Sequence, residues 1–460
     1  MSEPQGEDER RDSDEGKEPE QPETESAADD EVDEDVAPES GDEASTDETP
    51  EPQATAASQP EPGKGRRWTR VLLYLVLGFP VFILAMWVAV HHIPGFGPLV
   101  ANTLRAILGP GAVAWMEDTA YGVEDWFNRK TKADEPPQAF WDVPTNLPTQ
   151  NPSAAPSTPN GTPAKPPFTL ANIGPMYDNV MTKGDGVWVP LVDPRKPDDR
   201  VRLLKTFVHP DKVRSWSIMA IVAIDLGQVE VHPMAGRHEP KSKTKEAKAY
   251  ERKAVIPAEH QDALIAAFNG GYKSTHGDYG MMIDGVTLVP PRALACTISK
   301  TKDGRLSIRS WKAVKDTVDD MLWLRQTPIC MYDDGEPHPA LSMAKLGWGA
   351  SAVSGTTVIR RSAIGLNEKG DVLYVSIGDF LTAQVIAKGM RHAGAHSIAQ
   401  LDVNFSFPKF FTYDVEEPGS DKLKAIPLTD NFEYKEDEYV AGRAHRDFFY
   451  LVRKDEGGGS

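Results

Sequence analysis

Cysteine and the motifs of metal binding are scarce in this chain of 460 residues. It has two cysteines and 11 scattered histidines, and neither a CxxC nor an HExxH spacing occurs. A Walker loop, a GxSxG elbow and nucleic-acid-binding motifs are missing as well. We therefore expect no metal site, no cofactor and no nucleic-acid partner.

The two cysteines, Cys296 and Cys330, lie in the short apolar runs ALACTIS and PICMY. Two interpretations stay open for them. The first is a disulfide, which a compartment outside the cytoplasm permits. The second is a pair of separate buried thiols, the commoner outcome for cysteines in apolar runs.

Aromatic residues are missing from the first 60 residues, which hold 23 acidic and 3 basic residues. Residues 61–460 hold 46 acidic and 47 basic residues, so the low isoelectric point belongs to the tail. A segment with so little apolar surface cannot offset the entropy lost on ordering. We predict that residues 1–63 are a disordered acidic tail. A partner-binding role for this tail is the alternative, with no partner indicated.

Charge is also absent from residues 71–90, a run of 20 residues reading VLLYLVLGFPVFILAMWVAV. A helix of this length spans about 30 Å, the thickness of a bilayer core. A signal peptide is the competing interpretation, but a long polar segment precedes the run and no small-x-small cleavage site follows it closely. Basic residues at 64, 66, 67 and 70 precede the run. We predict one transmembrane helix within residues 64–92, a cytoplasmic N-terminus and a periplasmic or extracellular C-terminal domain.

Residues 93–135 interrupt their apolar runs with Gly and Pro, which disfavours a second span. We expect a membrane-proximal helical segment that lies on the outer membrane surface or packs on the span, with a re-entrant hairpin as the alternative. Residues 136–167 are rich in Pro, Ser and Thr, a composition typical of an extended stalk. Residues 454–460 are predicted to form a flexible tail.

Residues 168–453 have the patterning of a globular domain. Ser217–Leu226 is predicted to be a buried strand, and residues 256–268 an amphipathic helix that starts near Pro257. Asp-Gly pairs begin at residues 284, 303 and 334, each between apolar or alternating runs, and predict hairpins. We expect an α+β domain with a mixed sheet, these hairpins and a C-terminal β-α-β unit.

The β-α-β unit is predicted from residues 372–402. Residues 372–377 form a short apolar run. The apolar residues within 381–390 have helical spacing, and Thr382 is a plausible N-cap. A second apolar run then ends in Asp402. If the two strands are parallel, Asp402 lies at the carboxyl end of the second one. Ligands bind at that edge in open α/β sheets, so Asp402 is a candidate site residue.

Three motifs in this order resemble the phosphodiester glycosidase family. Residues 267–272 (AFNGGY) are similar to its NGGFF element, residues 361–365 (RSAIG) to RTAIG, and residues 401–406 (LDVNFS) to LDGGGS. The resemblance covers roughly residues 168–453 and implies hydrolysis of a glycosidic bond to phosphate. The chain departs from the family at Val403, Asn404 and Phe405, which replace three glycines.

The resemblance implies catalytic roles for Asp402 and Asp379, since glycoside hydrolysis needs carboxylates as acid, base or nucleophile. The residues implied in substrate binding are Asn269, Gly270, Gly271, Arg361, Thr382 and Asn404. Some of these residues have a structural interpretation as well. Asp402 caps a turn, the Gly pair ends a helix, and Arg361 lies on the surface beside Arg360.

Two functions are therefore weighed. The leading hypothesis is a membrane-anchored, extracytoplasmic glycosidase acting on a sugar phosphodiester or related envelope glycoside. The alternative is a catalytically inactive carbohydrate-binding or envelope scaffold protein of the same fold, because side chains replace the family's glycines after Asp402.

Overall fold

A computed structural model of the chain describes residues 96–145, 167–342, 355–430 and 433–454, with isolated positions between 74 and 93. The predicted acidic tail, most of the predicted span, most of the predicted stalk and nearly all of the C-terminal tail lie outside the described residues. Among the helices formed by these described ranges, none is both long and apolar enough to cross a bilayer.

Helices are few in the described part of the chain. They are α1 (Phe96–Leu108), α2 (Pro110–Thr131), α3 (Lys245–Ala249), α4 (Ala258–Gln261), α5 (Trp311–Val314) and α6 (Ala383–His392). Short 3-10 helices cover Asp178–Val180, Ser274–His276, Lys315–Asp320 and Pro339–Ser342.

Strands dominate the domain. They are β1 (Val189–Pro190), β2 (Leu203–Val208), β3 (Ile218–Asp225), β4 (Val229–Met234), β5 (Leu264–Asn269), β6 (Met281–Ile283), β7 (Val286–Val289), β8 (Cys296–Thr301), β9 (Leu306–Ser310), β10 (Met321–Thr327), β11 (Tyr332–Asp333), β12 (Glu336–Pro337), β13 (Ile359–Leu366), β14 (Val372–Leu381), β15 (Ser397–Val403), β16 (Phe410–Val415), β17 (Leu423–Pro427) and β18 (Phe448–Arg453).

The strands form three sheets within the described residues. An eight-stranded sheet has the order β1-β2-β3-β14-β13-β15-β11-β12. Two five-stranded sheets have the orders β7-β6-β10-β8-β9 and β17-β16-β5-β18-β4. With few helices beside these sheets, the predicted α+β class is confirmed.

The predicted β-α-β unit is present, with one strand between its two strands. Both β14 and β15 pair antiparallel with β13, so they run parallel to each other. Helix α6 connects them and packs its buried face, including Ile386 and Met390, on one side of the large sheet. The opposite side of the sheet packs on the two smaller sheets around Phe268, Trp323 and Phe449. The large sheet therefore lies between α6 on one side and the two smaller sheets on the other.

The three predicted Asp-Gly hairpins are confirmed. They join β6 to β7, β8 to β9 and β11 to β12. The predicted strand at Ser217–Leu226 is also present, as β3. Cys296 and Cys330 form a disulfide, which decides between the two interpretations of these residues.

The predicted helix at residues 256–268 is wrong. Only α4 is helical there, and Leu264–Asn269 is the strand β5, buried along its whole length. The run LIAAF fits a helix or a fully buried strand, and its spacing does not distinguish them. Pairing with β16 on one side and β18 on the other satisfies its backbone groups, which favours the strand.

Candidate functional site at the edge of the large sheet

Five of the predicted site residues lie at one edge of the large sheet, and the other three, Asn269, Gly270 and Gly271, are at the end of β5 in a smaller sheet. Arg361 is opposite Gly378 of β14 and Val403 of β15, so the start of β13 meets the ends of its two neighbours. Asp379 and Asp402 stand next to those paired positions. The structure therefore places both predicted carboxylates at the carboxyl ends of parallel strands.

The Asp402 carboxylate is enclosed. The residue is 2% exposed, and its Oδ2 forms an ion pair with Nη1 of Arg446. Its Oδ1 accepts a hydrogen bond from the Val403 amide at 2.9 Å, and its carbonyl accepts one from Ser362 Oγ at 2.8 Å. Burial raises the pKa of Asp402, although the Arg446 cation opposes that shift. Asp402 thus has no open face toward solvent.

Arg446 was not indicated by the sequence. It lies in the loop before β18, far from every recognised motif, and its guanidinium carbon stands 3.2 Å from the centroid of the Phe407 ring. The cation is thereby held between a carboxylate and an aromatic face. Arg446 therefore covers the Asp402 carboxylate.

The amides of Gly270 and Gly271 are hydrogen-bonded within the protein, and the contact of these glycines with substrate stays a prediction. They donate to the carbonyl and to Oδ2 of Asp447, each at 3.0 Å. A Cβ at residue 270 would overlap the Asp447 carboxylate, so glycine is needed for this approach. These glycines follow a strand, so the structural interpretation of a helix stop is wrong.

Asp447 also forms a second buried ion pair, with Arg325, which the sequence did not indicate. Arg325 donates from Nε at 2.8 Å and from Nη2 at 3.1 Å to the two oxygens of this carboxylate. Both side chains are buried. This bidentate pair joins β10 to the loop before β18. Because these two segments are distant in sequence, no local sequence pattern predicts the pair.

Asn269 also serves the fold. Its Nδ2 donates to Ser362 Oγ at 2.9 Å, and its Oδ1 accepts from the Lys409 amide at 3.0 Å. Ser362 in turn binds the carbonyl of Asp402. The amide side chain therefore connects β5, β13 and the strand end that carries Asp402, and its predicted contact with substrate stays a prediction.

Arg361 is fully buried, which corrects the interpretation of a surface arginine. Its guanidinium donates to the Leu381 and Thr357 carbonyls at 2.9 and 2.8 Å and to Gln400 Oε1 at 3.2 Å. Burial lowers its pKa to about 10. Phosphate binding by Arg361 remains a prediction, since these contacts organise the start of β13.

Thr382 and Asn404 make local hydrogen bonds. Thr382 Oγ1 accepts from the Val385 amide at 3.2 Å and caps α6, as its predicted N-cap position required. Asn404 has φ 153° and its Oδ1 accepts from the Ser406 amide at 2.6 Å. The unusual backbone thus falls on Asn404, while Val403 stays in β15 and packs on Tyr272. Ligand contacts by Thr382 and Asn404 stay predictions.

Helix α2 covers this part of the edge from outside the predicted globular domain. Tyr121 packs on the cluster of Tyr272 and Val403. Asp118 Oδ1 accepts a hydrogen bond of 2.5 Å from Thr357 Oγ1. Residues assigned by sequence to a separate membrane-proximal segment therefore contribute to the cover over the site.

Asp379 differs from Asp402 because it opens on a cavity. Its side chain is 25% exposed and pairs with Arg360, whose Nε lies 2.5 Å from Oδ1. The cavity has a volume of about 370 Å³. It is lined by Lys132, Glu135, Pro136, Gln138, Ala139, Phe140, His209, Ser215, Trp216, Ile218, Asp379, Phe380 and Asp430.

A β-bulge directs Asp379 and Phe380 into this cavity. The register between β13 and β14 shifts between Ile359 and Arg361, opposite residues 378–381. Phe380 adopts φ 57°, a left-handed conformation that is costly for a bulky residue. Bulges and strained backbone of this kind are concentrated beside ligand sites.

Two ring nitrogens at the cavity lack a hydrogen-bond partner. They are Trp216 Nε1 and His209 Nε2, both buried. The other ring nitrogen of His209 contacts Asp185 Oδ2 at 2.9 Å, which fixes the ring. Unpaired buried polar atoms are uncommon in folded proteins. No group of three or more potential metal ligands exists in the described part of the chain.

Comparisons with known proteins add a distant likeness. No protein-family model and no curated protein matches the chain. Among solved structures, the zebrafish N-acetylglucosamine-1-phosphodiester alpha-N-acetylglucosaminidase catalytic domain, auto-inhibited by its pro-peptide, is 16% identical with a TM-score of 0.35, covering 57% of this chain and 87% of that one. This is a weak similarity to a glycosidase domain.

Two further matches are a hypothetical protein from Synechocystis and a putative exported protein from Burkholderia pseudomallei. The first is 8% identical with a TM-score of 0.30, covering 55% of this chain and 62% of that one. The second is 10% identical with a TM-score of 0.27, covering 51% and 74%. These values indicate a distant structural relationship and do not establish membership of a family.

Proposed function

We propose that the domain binds carbohydrate in the cavity beside Asp379 and that its predicted catalytic centre at Asp402 is closed. One observation carries this proposal. Of the two predicted carboxylates, Asp379 opens on a cavity of about 370 Å³, whereas Asp402 is buried against Arg446. The motif resemblance directs the proposal to sugars, and the enclosure of Asp402 favours binding over hydrolysis.

The chemistry of the cavity suits a sugar. Phe140, Trp216 and Phe380 offer flat apolar faces for the C–H side of a pyranose ring. Asp379 and Glu135 offer acceptors for its hydroxyl groups. Small-molecule sites combine mostly apolar walls with a few polar groups in volumes of roughly 300 to 1,000 Å³, and this cavity lies within that range.

Binding of the full-length protein to an array of glycans and glycosyl phosphates tests the proposal. Trp216→Ala should weaken the binding of a retained glycan at least tenfold, because it removes an aromatic wall. Trp311→Ala is the matched control, since Trp311 is also partly buried but lies at α5, outside the cavity. Failure of the wild-type protein to retain any glycan, or equal binding by both variants, would contradict the proposal.

The second candidate is a glycosidase that hydrolyses a sugar phosphodiester or related envelope glycoside. Burial raises the pKa of Asp402, the direction of shift that a general acid requires, and this favours the second candidate. This function requires Arg446 to leave the carboxylate. Turnover of glycosyl phosphodiesters or nitrophenyl glycosides by the wild-type protein, abolished in Asp402→Asn, would establish hydrolysis.

Membrane anchoring and an extracytoplasmic domain are part of both proposals. The uncharged run at residues 71–90 and the basic residues before it support them. The disulfide between Cys296 and Cys330 is a second support, because such bonds persist in oxidising compartments. Protease protection of the domain in intact cells would argue against this orientation.

A further inference from the structure

Helix α2 has its polarity reversed relative to the usual helix of a globular protein. A helix that packs on a domain normally buries an apolar stripe and exposes its charges. In α2 the residues that are buried or bonded to the domain include Asp118, Asp125 and Asn128. The large side chains Trp115, Val123, Trp126 and Phe127 are each 57% to 69% exposed.

Ion pairs fix this orientation. Arg214 donates from Nε to Asp125 Oδ1 at 2.7 Å and from Nη2 to Asp125 Oδ2 at 2.8 Å. The Arg214 and Asp125 side chains are only 11% and 9% exposed. A bidentate pair of this kind sets the rotation of the helix about its axis, so the aromatic face is held away from the domain.

The outward face is continuous. Trp115 and Trp126 are eleven residues apart, about three helical turns, and therefore point in the same direction. Val123 and Phe127 follow at about 80° and about 120° around the helix from Trp115, and Lys130 lies between Trp126 and Val123 at the C-terminal end of this face. On the preceding helix α1, Leu99, Ile107 and Leu108 are also more than half exposed. The exposed apolar surface thus extends over both helices.

We infer that this outward face of α2 lies on a lipid bilayer, at the level of the headgroups. Three observations select lipid as the occupant. The polar face, which an interfacial helix usually turns to water, is here bonded to the domain. Tryptophan, which favours the membrane interface, occupies two of the outward positions. The uncharged run at residues 71–90 ends a few residues before α1.

This arrangement sets the domain directly against the membrane surface. The residues that follow α2, from Lys132 to Phe140, line the cavity beside Asp379. The proposed ligand site is therefore built partly from the segment that touches lipid. The inference does not depend on what the cavity binds.

Site-specific fluorescence on the full-length protein tests the inference. The only two cysteines are joined in a disulfide, so Trp126→Cys and, independently, Val123→Cys each introduce one free thiol for an environment-sensitive dye. Leu294→Cys is the matched control, because Leu294 is an apolar residue that is 80% exposed but lies on the loop before β8 and not on α2. The labelled proteins are reconstituted into phosphatidylcholine vesicles with and without nitroxide-labelled lipid.

The dye at residue 126 or 123 should shift to the blue and be quenched by the nitroxide lipid several times more strongly than the dye at residue 294. Equal quenching at all three positions would overturn the inference. A blue shift that depends on the ratio of protein to lipid, without nitroxide quenching, would overturn it as well, because it would identify a second copy of the chain as the occupant.

Discussion

Replacing Arg446 by Met should destabilise the folded domain strongly, because it leaves the Asp402 carboxylate buried without its cation. The Asp402 and Arg446 side chains are 3% and 16% exposed, so solvent cannot replace the lost charge. Removal of one partner of a buried pair typically costs about 3 to 5 kcal/mol. We expect a loss near the lower end, about 3 kcal/mol, since the Val403 amide still donates to Oδ1.

The penalty should depend on pH in a defined direction. The folded-state pKa of Asp402 is raised above that of the unfolded chain, which is about 3.9. Stability from such a group is present below the unfolded pKa and is lost as pH rises through the folded one. Arg446 opposes this shift, so its removal raises the folded pKa further. Arg446→Met should therefore cost little near pH 3 and most at neutral pH.

Urea denaturation of the full-length protein in detergent, followed by tryptophan fluorescence, measures the effect. Asp402→Asn in the Arg446→Met background should restore most of the lost stability, because the amide carries no charge. Arg443→Met is the matched control, since Arg443 lies in the same loop but donates to the backbone carbonyl of Lys253. Equal losses for the two arginine variants, or an Asp402→Asn effect that is independent of residue 446, would refute the reasoning.

Three other changes test separate parts of the structure. Replacing both Cys296 and Cys330 by Ala should lower the free energy of unfolding by about 3 to 4 kcal/mol at their separation of 34 residues, measured by urea denaturation against the oxidised wild type. Thr382→Ala should cost about 1 kcal/mol by removing the N-cap of α6, while Thr382→Ser should cost much less, as thermal unfolding would show. Asp125→Asn should speed amide hydrogen exchange in α2 without affecting α6, because only α2 loses its bond to Arg214.

Local patterns in the sequence predicted the parts of the fold that local chemistry determines. Asp-Gly pairs define tight turns by themselves, so all three hairpins could be predicted. The β-α-β unit could be predicted because Thr382 marks the start of α6. The strand β5 could not, because its assignment depends on pairing with β16 and β18, which lie more than a hundred residues away.

The position of the candidate site could be predicted from the sequence, but not whether its carboxylates are open to solvent or buried. The sequence predicts Asp402 at the carboxyl end of its strand, and the structure has it there, at the same sheet edge as Asp379. Whether each carboxylate is open or closed depends on Arg360 and Arg446, and the second of these is 44 residues from its partner. The polarity of α2 could not be predicted from the sequence either, because Asp125 is buried through its contact with Arg214, which is 89 residues away.

The chain contacts the domain within residues 136–167, the segment predicted to be a stalk. Trp141 packs edge-on against Phe207 at 5.3 Å, and Lys205 lies over its ring. Residues 146–166 therefore connect two segments of the chain that both belong to the same folded domain. Cleavage by a protease within this connection would nick the protein without releasing the domain, which would stay attached through α2 and Trp141. Release of the nicked domain would require a denaturant.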